Sequence, residues 1–467
     1  MSFILLLNLL VKPIGIVVEN LVQDRIGHEA FGLFSALFSL ATIGAVLSDL
    51  GISQLATKKI AADKSYFEAY FPTVFPIKIL LALLFPLLML ALGFILGYDA
   101  HTLYLLFFIA FTFGISQFIL FFRATLQGNQ NFNVDAVGSV ADKFLLVFFV
   151  LALLPVGLTL ENFVYARALA TGLAFVALYF LITKLYGRLR IKLNRVHLKE
   201  LLRDSLPFAL ITLVYGINER VDIVMLERLS SAKEAGLYAG PYRWVDAVMM
   251  YLWTILPIFF AKFALTIQDK KEQEKLLHFG QVVVSLPIIF ICVFSFFYGE
   301  LFFFQFSNST PAEIAAMVRN LQILFLNVLV HGFFAIYSTL LTSSNFEKPV
   351  SKLVAASIVI NLTLNVIFIP EYGSLAAAWN TLFCAVFVSV GYFIMVGRKV
   401  KIKLPYALLL KLVLLTVLLG GLFFGLNYLS GLWWLNTILA GAGFLILVFI
   451  LQIISLAQIR QLLNRRP

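Results

Sequence analysis

Charged and amide side chains recur at helical spacing within segments that are otherwise strongly apolar. In the first segment, Asn8, Lys12, Gly15 and Glu19 follow an i, i+4, i+7, i+11 pattern and therefore share one helical face. Ionisable groups inside a bilayer are costly, and they usually face a cavity or a partner. A base in such a position could bind an anion, whereas a carboxylate could bind H⁺ or Na⁺.

Three later segments carry similar stripes. Their polar members, in chain order, are Ser35, Ser39, Thr42, Asp49 and Ser53; Thr212, Tyr215, Glu219 and Asp222, with Arg220 and Glu227 on a flanking face; and Arg243, Asp246 and Trp253. A helical rise of about 1.5 Å per residue predicts that Lys12, Arg243 and Asp246 lie near mid-membrane. The alternative for each residue is simple pairing that locks helices together, Arg243 with Asp246 or Lys12 with Glu19.

Other intramembrane charges have less specific surroundings. Lys78, Lys143 and Lys411 lie near segment ends and are predicted to extend their ammonium groups toward the membrane surface. Arg123 lies near an inner end, where it could either capture substrate or anchor its helix. The sequence does not indicate a role for Arg167.

The elements that position these residues are predicted to be transmembrane helices. Hydrophobic types make up 61% of the 467 residues and charged types 13%, so a soluble surface cannot be covered. A bilayer-spanning helix takes about 20 apolar residues, and the apolar segments are unbroken over that length, unlike β-barrel strands. The sequence predicts an all-α polytopic membrane protein with about 14 transmembrane helices. The predicted spans are 3–22, 31–55, 71–96, 102–124, 137–156, 162–183, 206–228, 236–261, 279–299, 318–342, 350–369, 374–396, 406–428 and 432–457.

Basic residues predict the orientation. They concentrate in alternate loops, such as 184–203 and 398–403, whereas the opposite loops contain only Arg25, Arg228 and Lys233, with Arg319 at a boundary. Because cytoplasmic loops carry the excess of Lys and Arg, both termini are predicted to be cytoplasmic. This pattern accounts for the net charge of +11 without a nucleic-acid partner.

Short sequence words repeat along the chain. Residues 31–36 and 235–240 are similar and 204 residues apart, and matching words begin at Asn131 and Asn345 and at Leu154 and Ile369. Six predicted helices separate the copies, so the two halves have the same orientation. The sequence predicts an N-terminal six-helix lobe at 1–203, a pseudo-symmetric six-helix lobe at 204–400, and two additional transmembrane helices with a cytoplasmic tail at 401–467. Two-lobed repeats of this kind are typical of secondary transporters.

Motifs for catalysis are missing from the sequence. It contains no nucleotide-binding P-loop, zinc-protease, nucleophile-elbow or aspartate-rich diphosphate motif, and Cys292 and Cys384 have no metal-ligand spacing. We therefore expect neither an enzyme nor a metal or organic cofactor.

Several longer motifs can be read along the chain: Asn8-x-x-x-Lys12-Pro13; Val22-Gln23-x-x-Ile26-Gly27-x-Glu29-x-Phe31-Gly32; Ser48-Asp49-Leu50-Gly51-Ile52; Ala235-Gly236-Leu237-Tyr238-Ala239-x-x-Tyr242-Arg243; Asn361-x-x-x-Asn365; Ile369-Pro370-x-Tyr372-Gly373; and Ala376-Ala377-Ala378-Trp379-x-Thr381. These motifs resemble those of the bacterial polysaccharide-biosynthesis and O-antigen flippases of the multidrug/oligosaccharidyl-lipid/polysaccharide exporter superfamily. They occur in family order along nearly the whole chain.

The resemblance implies an inner-membrane flippase that moves an undecaprenyl-diphosphate-linked O-antigen, capsule or exopolysaccharide unit to the periplasmic leaflet by alternating access. Related flippases are thought to use cavity arginines on the first, second and eighth helices. Here the first helix offers Lys12 and the eighth Arg243, but the second carries only Ser, Thr and Asp49. The candidate substrate-binding residues are Lys12, Arg243, Arg220 and Arg123. The candidates for H⁺ or Na⁺ coupling are Glu19, Asp49, Glu219, Asp222 and Asp246.

Two other functions are compatible with a polytopic membrane protein. A cation-coupled multidrug exporter of the same superfamily would use acidic groups such as Glu19, Asp222 and Asp246. A polysaccharide polymerase or ligase would need a sizeable periplasmic loop, and no predicted external loop exceeds about twenty residues. The expected partners are a lipid-linked oligosaccharide, membrane lipids and other polysaccharide assembly proteins, with the chain itself a monomer.

Overall fold

A computed structural model describes residues 2–63, 65–187 and 195–454 of the chain. Side chains are described from Ile14 onward, apart from those of residues 62, 64–70, 188–198, 211 and 455–467. The described residues form helices and connecting turns without a β-strand, so the predicted all-α class is confirmed.

Sixteen α-helices occur within the described residues. They are α1 Ser2–Ile26, α2 His28–Gly44, α3 Val46–Asp49, α4 Ile52–Ala62, α5 Ser65–Ile95, α6 Ala100–Gly128, α7 Phe132–Gly138, α8 Ala141–Leu153, α9 Leu160–Tyr186, α10 Arg195–Leu229, α11 Ala232–Leu265, α12 Lys270–Tyr298, α13 Pro311–Ser343, α14 Glu347–Met395, α15 Tyr406–Leu429 and α16 Trp433–Ile450. A 3₁₀ helix, Gly299–Phe303, extends α12, and a π-helical turn, Val396–Val400, extends α14.

Side-chain caps fix where several of these helices begin. Each cap accepts a hydrogen bond from a backbone N–H of the first turn, which otherwise lacks an intrahelical partner. The capping residues are Asp99 for α6, Thr159 for α9, Asp269 for α12 and Thr310 for α13. The apolar segments are thus delimited by local sequence signals.

Eleven helical segments within the described ranges are long and apolar enough to cross a bilayer. The longest of them, Glu347–Val400, contains two of the predicted spans, which meet at a kink at Gly373. α1 and α10 correspond to the other two predicted spans; α1 lies partly outside the described side chains, and α10 carries many charges. The polytopic class therefore agrees with the sequence prediction.

The prediction of a continuous second span, 31–55, is wrong in its local geometry. The chain forms α2, α3 and α4, with Leu50 and Gly51 at φ of 49° and 73°. A Cβ on Gly51 would lie 2.5 Å from the Ser205 carbonyl oxygen and 2.6 Å from the Ala209 nitrogen. The break therefore allows α10 to approach the backbone closely.

Two further span predictions differ from the helices. The predicted span 137–156 is divided into α7 and α8 at residues 139–140, and α16 ends at Ile450 instead of continuing to 457. Residues 455–457 lie outside the described part of the chain.

The chain divides into two compact units. Unit 1 comprises Met1–Ala239 and Gln305–Ser309, and unit 2 comprises Gly240–Phe304 and Thr310–Pro467. These units reflect packing, whereas the predicted division at residues 203 and 400 reflects sequence repetition. That predicted division stays a prediction.

The two repeated words at the starts of α2 and α11 pack against each other in unit 1. A Cβ on Gly32 would lie 1.7 Å from the Ala232 carbonyl oxygen, and one on Gly236 would lie 2.0 Å from the His28 carbonyl oxygen. The two contacts are reciprocal, because each glycine faces the residue four positions before the other. Any side chain at either glycine would separate the helices.

Aromatic and aliphatic side chains form the core of each unit. In unit 1, Phe118, Phe121 and Phe122 of α6 lie among buried residues of α4, α5 and α9. In unit 2, Phe290 of α12 contacts Phe423 of α15 and Phe444 of α16, with ring centres 6.0 and 5.5 Å away.

Candidate functional site

Three of the ion pairs among the described residues of unit 1 join helices and include a predicted site residue. They are Glu19–Arg167 between α1 and α9 at 2.6 Å, Asp49–Lys78 between α3 and α5 at 2.6 Å, and Arg123–Asp135 between α6 and α7 at 2.7 Å. Three predicted site residues therefore have partners that the sequence patterns did not identify. Whether any of them serves in transport stays a prediction.

The Arg167 guanidinium is surrounded by aromatic rings. Its central carbon lies 4.9 Å from the ring centre of Phe38 and 5.4 Å from those of Phe34 and Phe163. Nη2 donates a 2.6 Å hydrogen bond to Glu19 Oε1, while Nε is buried and has no hydrogen-bond partner among the described residues. Since an arginine can bind a carboxylate through two parallel N–H groups, Glu19 engages only part of this donor set.

A cavity of about 210 Å³ adjoins Arg167. Helices α2, α6, α8 and α9 contribute its walls. The lining residues are Phe34, Phe38, Ile109, Thr112, Phe113, Ser116, Asp142, Lys143, Val164, Arg167 and Thr171. The Lys143 ammonium, expected to extend toward the membrane surface, donates to the Ser139 carbonyl oxygen at 3.3 Å. The cavity thus combines aromatic, hydroxyl and charged groups.

Asp49 and Lys78 form a deeply buried pair beside the break in the second span. Lys78 is 1% exposed, and its Nζ donates to Asp49 Oδ1 at 2.6 Å. The same carboxylate oxygen accepts a 2.5 Å hydrogen bond from the Ser53 hydroxyl. The prediction that Lys78 extends to the membrane surface is wrong, because burial and the nearby carboxylate hold its ammonium inside unit 1. The geometry of Asp49 therefore fits the alternative role, an ion pair that holds helices together.

Arg123 shares its carboxylate partner with a neighbouring amide. Its Nε donates to Asp135 Oδ1 at 2.7 Å, and Gln127 Nε2 donates to Oδ2 at 2.9 Å. A substrate anion that binds Arg123 would therefore compete with Asp135.

The acidic residues of α10 occupy different surroundings. Asp222 is buried and accepts a 3.2 Å hydrogen bond from the Tyr238 hydroxyl. Glu219 and Arg220 are half-buried, and both make further interactions. The charged residues predicted to share a site on α10 therefore differ in burial. The Asp222 carboxylate is buried, whereas the consecutive residues Glu219 and Arg220 are half-buried.

The end of α10 is attached to the turn between α5 and α6. Arg228 donates to both Glu227 carboxylate oxygens, at 2.8 and 2.7 Å, and to the Leu96 carbonyl oxygen at 3.0 Å. The Tyr98 hydroxyl donates to Glu227 at 2.8 Å. Burial and then the Glu227 charge raise the pKa of Tyr98 well above its usual value, so this hydroxyl remains a donor at physiological pH.

The predicted head-group residues are distributed along the chain. Arg220 is on α10 of unit 1, and Arg243 and Asp246 are half-buried on α11 in unit 2, where both make further interactions. Lys12 is on α1, but its side chain lies outside the described residues. A joint role for Lys12, Arg220 and Arg243 stays a prediction.

The sequence patterns missed a polar cluster around the turn between α1 and α2. Asp24 accepts hydrogen bonds from the Ser307 hydroxyl at 3.1 Å and from the Asn308 backbone N–H at 2.9 Å. Asn20 donates to Gln305 at 2.9 Å, and His28 lies 2.9 Å from the Ser309 hydroxyl. The polar residues 307–310 could have indicated this cluster in the sequence. Their spacing, however, does not show that they bind the end of α1 and the start of α2.

The described residues do not contain a cluster of side chains suited to binding a metal ion. Among them, no group of three His, Cys, Asp or Glu side chains could hold a metal ion. Cys292 and Cys384 are both buried, and they do not form a disulfide with each other.

The fold is shared with solved membrane transporters. Structural similarity extends to the lipid II flippase MurJ in an inward closed conformation, at 14% identity and a TM-score of 0.80, covering 96% of this chain and 98% of that one. An inward-facing multidrug resistance MATE transporter of the MOP superfamily has 13% identity and a TM-score of 0.70, with 84% and 94% coverage. A MOP superfamily transporter from Pyrococcus furiosus has 14% identity and a TM-score of 0.57, with 86% and 94% coverage.

These likenesses define the class as a polytopic all-α membrane protein with the fold of flippases and multidrug transporters. The sequence model of the polysaccharide biosynthesis protein family matches residues 1–260, more than half of the chain. The chain belongs to this family, as its motifs indicated. The comparison with curated proteins finds no match.

Proposed function

We propose that this protein is a flippase that moves an undecaprenyl-diphosphate-linked oligosaccharide, an O-antigen, capsule or exopolysaccharide unit, across the bacterial inner membrane. The family match over residues 1–260 carries the proposal. The fold shared with a lipid II flippase over nearly the whole chain supports it, because lipid II is itself a lipid-linked sugar substrate. Alternating access by two lobes would carry the polar head group through the bilayer.

Cationic side chains supply the chemistry that such a substrate needs. A diphosphate is poorly solvated in a low-dielectric interior, and arginine and lysine stabilise it by charge-assisted hydrogen bonds. Lys12, Arg220 and Arg243 are the proposed head-group ligands, and Arg123 is the proposed capture residue. Coupling to H⁺ or Na⁺ is assigned to carboxylates among Glu19, Glu219, Asp222 and Asp246, whereas Asp49, also a candidate from the sequence, is assigned to the structural pair with Lys78.

The proposed location follows from the distribution of basic residues. Both termini are assigned to the cytoplasm, and the chain is assigned to the inner membrane as a monomer that works with other polysaccharide assembly proteins. Reporter fusions after Arg203 and Lys403 should score cytoplasmic, and a fusion at Gly431 should score periplasmic. A periplasmic score at Lys403 would show that the span count is wrong.

A reconstituted flipping assay tests the function directly. The purified protein is placed in vesicles with a fluorescent undecaprenyl-diphosphate-linked sugar, and a membrane-impermeant quencher reports movement between leaflets. Protein vesicles should allow nearly all of the fluorescence to be quenched, whereas empty vesicles should protect the inner-leaflet half. Protection equal to that of empty vesicles would contradict the proposal.

Arginine variants then test the head-group assignment. Arg243→Ala and Lys12→Ala should each abolish flipping, whereas Arg243→Lys should retain part of it because the charge remains. The exposed Arg319 provides a matched control, and Arg319→Gln should flip normally. Full activity of the Lys12→Ala, Arg243→Ala double variant would remove these residues from the site.

A multidrug exporter is the second candidate, supported by the fold shared with a multidrug resistance transporter. Intramembrane carboxylates such as Glu19 and Asp222 could bind organic cations. Deletion of the gene separates the two functions. A flippase deletion should accumulate a lipid-linked sugar intermediate on the cytoplasmic side, whereas an exporter deletion should raise drug sensitivity without that intermediate.

A further inference from the structure

A short strap, residues Gln305–Ser309, is built into unit 1. Both of its chain neighbours, Phe304 and Thr310, belong to unit 2, so side-chain contacts rather than chain continuity hold the strap in unit 1. None of its residues lies in a helix, and its Phe306 ring is 3% exposed. The strap can therefore dock or detach without the unfolding of a helix.

The last two turns of α1 bind the strap. The Asp24 carboxylate accepts hydrogen bonds from the Ser307 hydroxyl at 3.1 Å, the Asn308 backbone N–H at 2.9 Å and Asn308 Nδ2 at 3.0 Å. Asn308 Nδ2 also donates to the Asp24 carbonyl oxygen at 3.3 Å. One turn earlier, Asn20 Nδ2 donates to Gln305 Oε1 at 2.9 Å. These bonds fix the backbone of the strap against α1.

His28, the first residue of α2, contacts the strap on one side and Gln23 on the other. Its Nε2 lies 2.9 Å from the Ser309 hydroxyl oxygen, and its ring stacks on Phe306, with ring centres 5.6 Å apart and planes 13° apart. Its Nδ1 lies 2.9 Å from Gln23 Nε2, and the same Gln23 nitrogen donates to the Gly236 carbonyl oxygen at 2.8 Å. The imidazole is 6% exposed, so these contacts replace water.

The contacts of Gln23 determine the protonation of His28. Because Gln23 Nε2 binds a carbonyl oxygen, it is the amide nitrogen and acts as a donor. His28 Nδ1 must therefore accept, so the ring is neutral and carries its proton on Nε2, where it can bond to Ser309. A proton on Nδ1 would face the N–H groups of Gln23. Phe306 cannot accept that proton, because its ring lies nearly parallel to the imidazole while Nδ1–H points within the imidazole plane.

Reversing the Gln23 amide would not accommodate a second proton on His28. The reversed amide would place its oxygen against the Gly236 carbonyl oxygen, which now accepts a hydrogen bond at 2.8 Å. This carbonyl has little room to move, because a Cβ on Gly236 would lie 2.0 Å from the His28 carbonyl oxygen. The protonated ring would therefore leave a buried polar group without an acceptor, which is costly.

The other charged groups near this turn are exposed or have partners. Arg25 and Glu29 are exposed, Asp24 binds the strap, and the strap itself has no ionisable side chain. On the helices of unit 1 that pack nearby, the bonded pairs are Glu19 with Arg167, His101 with Glu161, Asp222 with Tyr238, and Glu227 with Arg228. On α11, Lys233 and Glu234 make further interactions, and Arg243 and Asp246 follow later in the helix; Glu313 follows the strap in α13.

We propose that His28 is a pH sensor that controls the docking of the strap: the neutral ring holds Gln305–Ser309 on unit 1, and the protonated ring releases it. Because the docked state binds fewer protons than the released state, docking weakens as the pH falls below about 6.5, where histidine ordinarily titrates. The turn that carries Arg25 is predicted to face the periplasm, so external acidity would act on this sensor. The inference does not depend on which substrate is transported.

Hydrogen exchange of the purified protein measures docking through the Asn308 backbone N–H, which Asp24 binds. Mass spectrometry follows a peptide that covers the strap at pH 7.5, 6.5 and 5.5, and each rate is divided by that of an unstructured peptide of the same sequence. Protection of the strap should fall by up to about tenfold between pH 6.5 and 5.5, as uptake of one proton requires, while a peptide from the core of α6 keeps its protection. Equal protection of the strap at all three pH values, or loss of protection in α6 as well, would overturn the proposal.

Variants of His28 test whether this residue is the sensor. His28→Gln is uncharged and can donate to Ser309, so its strap should stay protected at pH 5.5, a gain that misfolding cannot produce. His28→Arg carries a permanent charge, and its strap should exchange rapidly even at pH 7.5. The exposed Glu29→Gln is the matched control and should respond to pH as the natural protein does. A pH response that persists in His28→Gln would assign the effect to another group, such as Asp24, and would refute the proposal.

Discussion

The Glu19–Arg167 and Asp49–Lys78 pairs have the same charges and the same 2.6 Å separation, yet their surroundings differ. Lys78 is 1% exposed, and its carboxylate partner also receives the Ser53 hydroxyl. The Arg167 side chain is 19% exposed, retains a buried N–H without a partner among the described residues, and faces a cavity.

This difference separates a structural pair from one that could exchange partners. A buried ion pair contributes little net stability, but removing one partner leaves an uncompensated charge. The Asp49–Lys78 pair is deeply buried and leaves no space for a competing anion, whereas Arg167 lines a cavity and bonds to Glu19 through a single N–H. Within a single unit, spare donor capacity and adjoining volume are therefore better indicators of a site than charge alone.

The largest predicted effect is that of Lys78→Met. This change leaves the Asp49 carboxylate buried without its cation, and it should destabilise the protein by about 3–5 kcal/mol. Thermal unfolding in detergent, followed by size-exclusion chromatography, measures the loss. The Asp49→Asn, Lys78→Met double variant should recover most of it, because no charge remains. If the single variant is as stable as the natural protein, the pair has no structural role.

Arg167→Gln should have a smaller effect on stability. Water reaches both members of the Glu19–Arg167 pair, so the expected loss is about 1 kcal/mol. The same unfolding measurement, made beside Lys78→Met, provides the comparison. A loss as large as that of Lys78→Met would mean that the two pairs are equally structural.

Arg123→Gln should change stability by less than about 1 kcal/mol, because Gln127 still donates to Asp135 and the Arg123 side chain is partly exposed. If Arg123 captures substrate, the initial flipping rate should fall at low substrate and recover at saturation. An unchanged rate at every concentration would leave Arg123 as a helix anchor.

The smallest change is Ser53→Ala. It removes one hydrogen bond to Asp49 while Lys78 remains, so the cost should be about 1 kcal/mol or less, with normal flipping. The unfolding midpoint and the vesicle assay measure the two quantities. A loss of flipping at normal stability would assign the Asp49 site a role in transport.

Hydropathy, basic-residue distribution and helical spacing were sufficient to predict the fold class and to find Glu19, Asp49 and Arg123 as notable charges. The partners of these residues could not be predicted, because Arg167, Lys78 and Asp135 lie on other helices. Sequence spacing shows which residues share a face of one helix, but it does not show which helices pack together. The break at Gly51 depends equally on packing, since its close neighbours belong to α10, more than 150 residues later in the chain.

The most direct test compares two double variants in the flipping assay, Asp49→Asn with Lys78→Met and Glu19→Gln with Arg167→Gln. Both remove a pair without leaving a charge behind, so both should fold with unfolding midpoints near that of the natural protein. We predict that the first variant flips an undecaprenyl-diphosphate-linked sugar at the natural rate and that the second does not. Normal flipping by the second variant, or loss of flipping by the first at normal stability, would contradict the distinction between the two pairs.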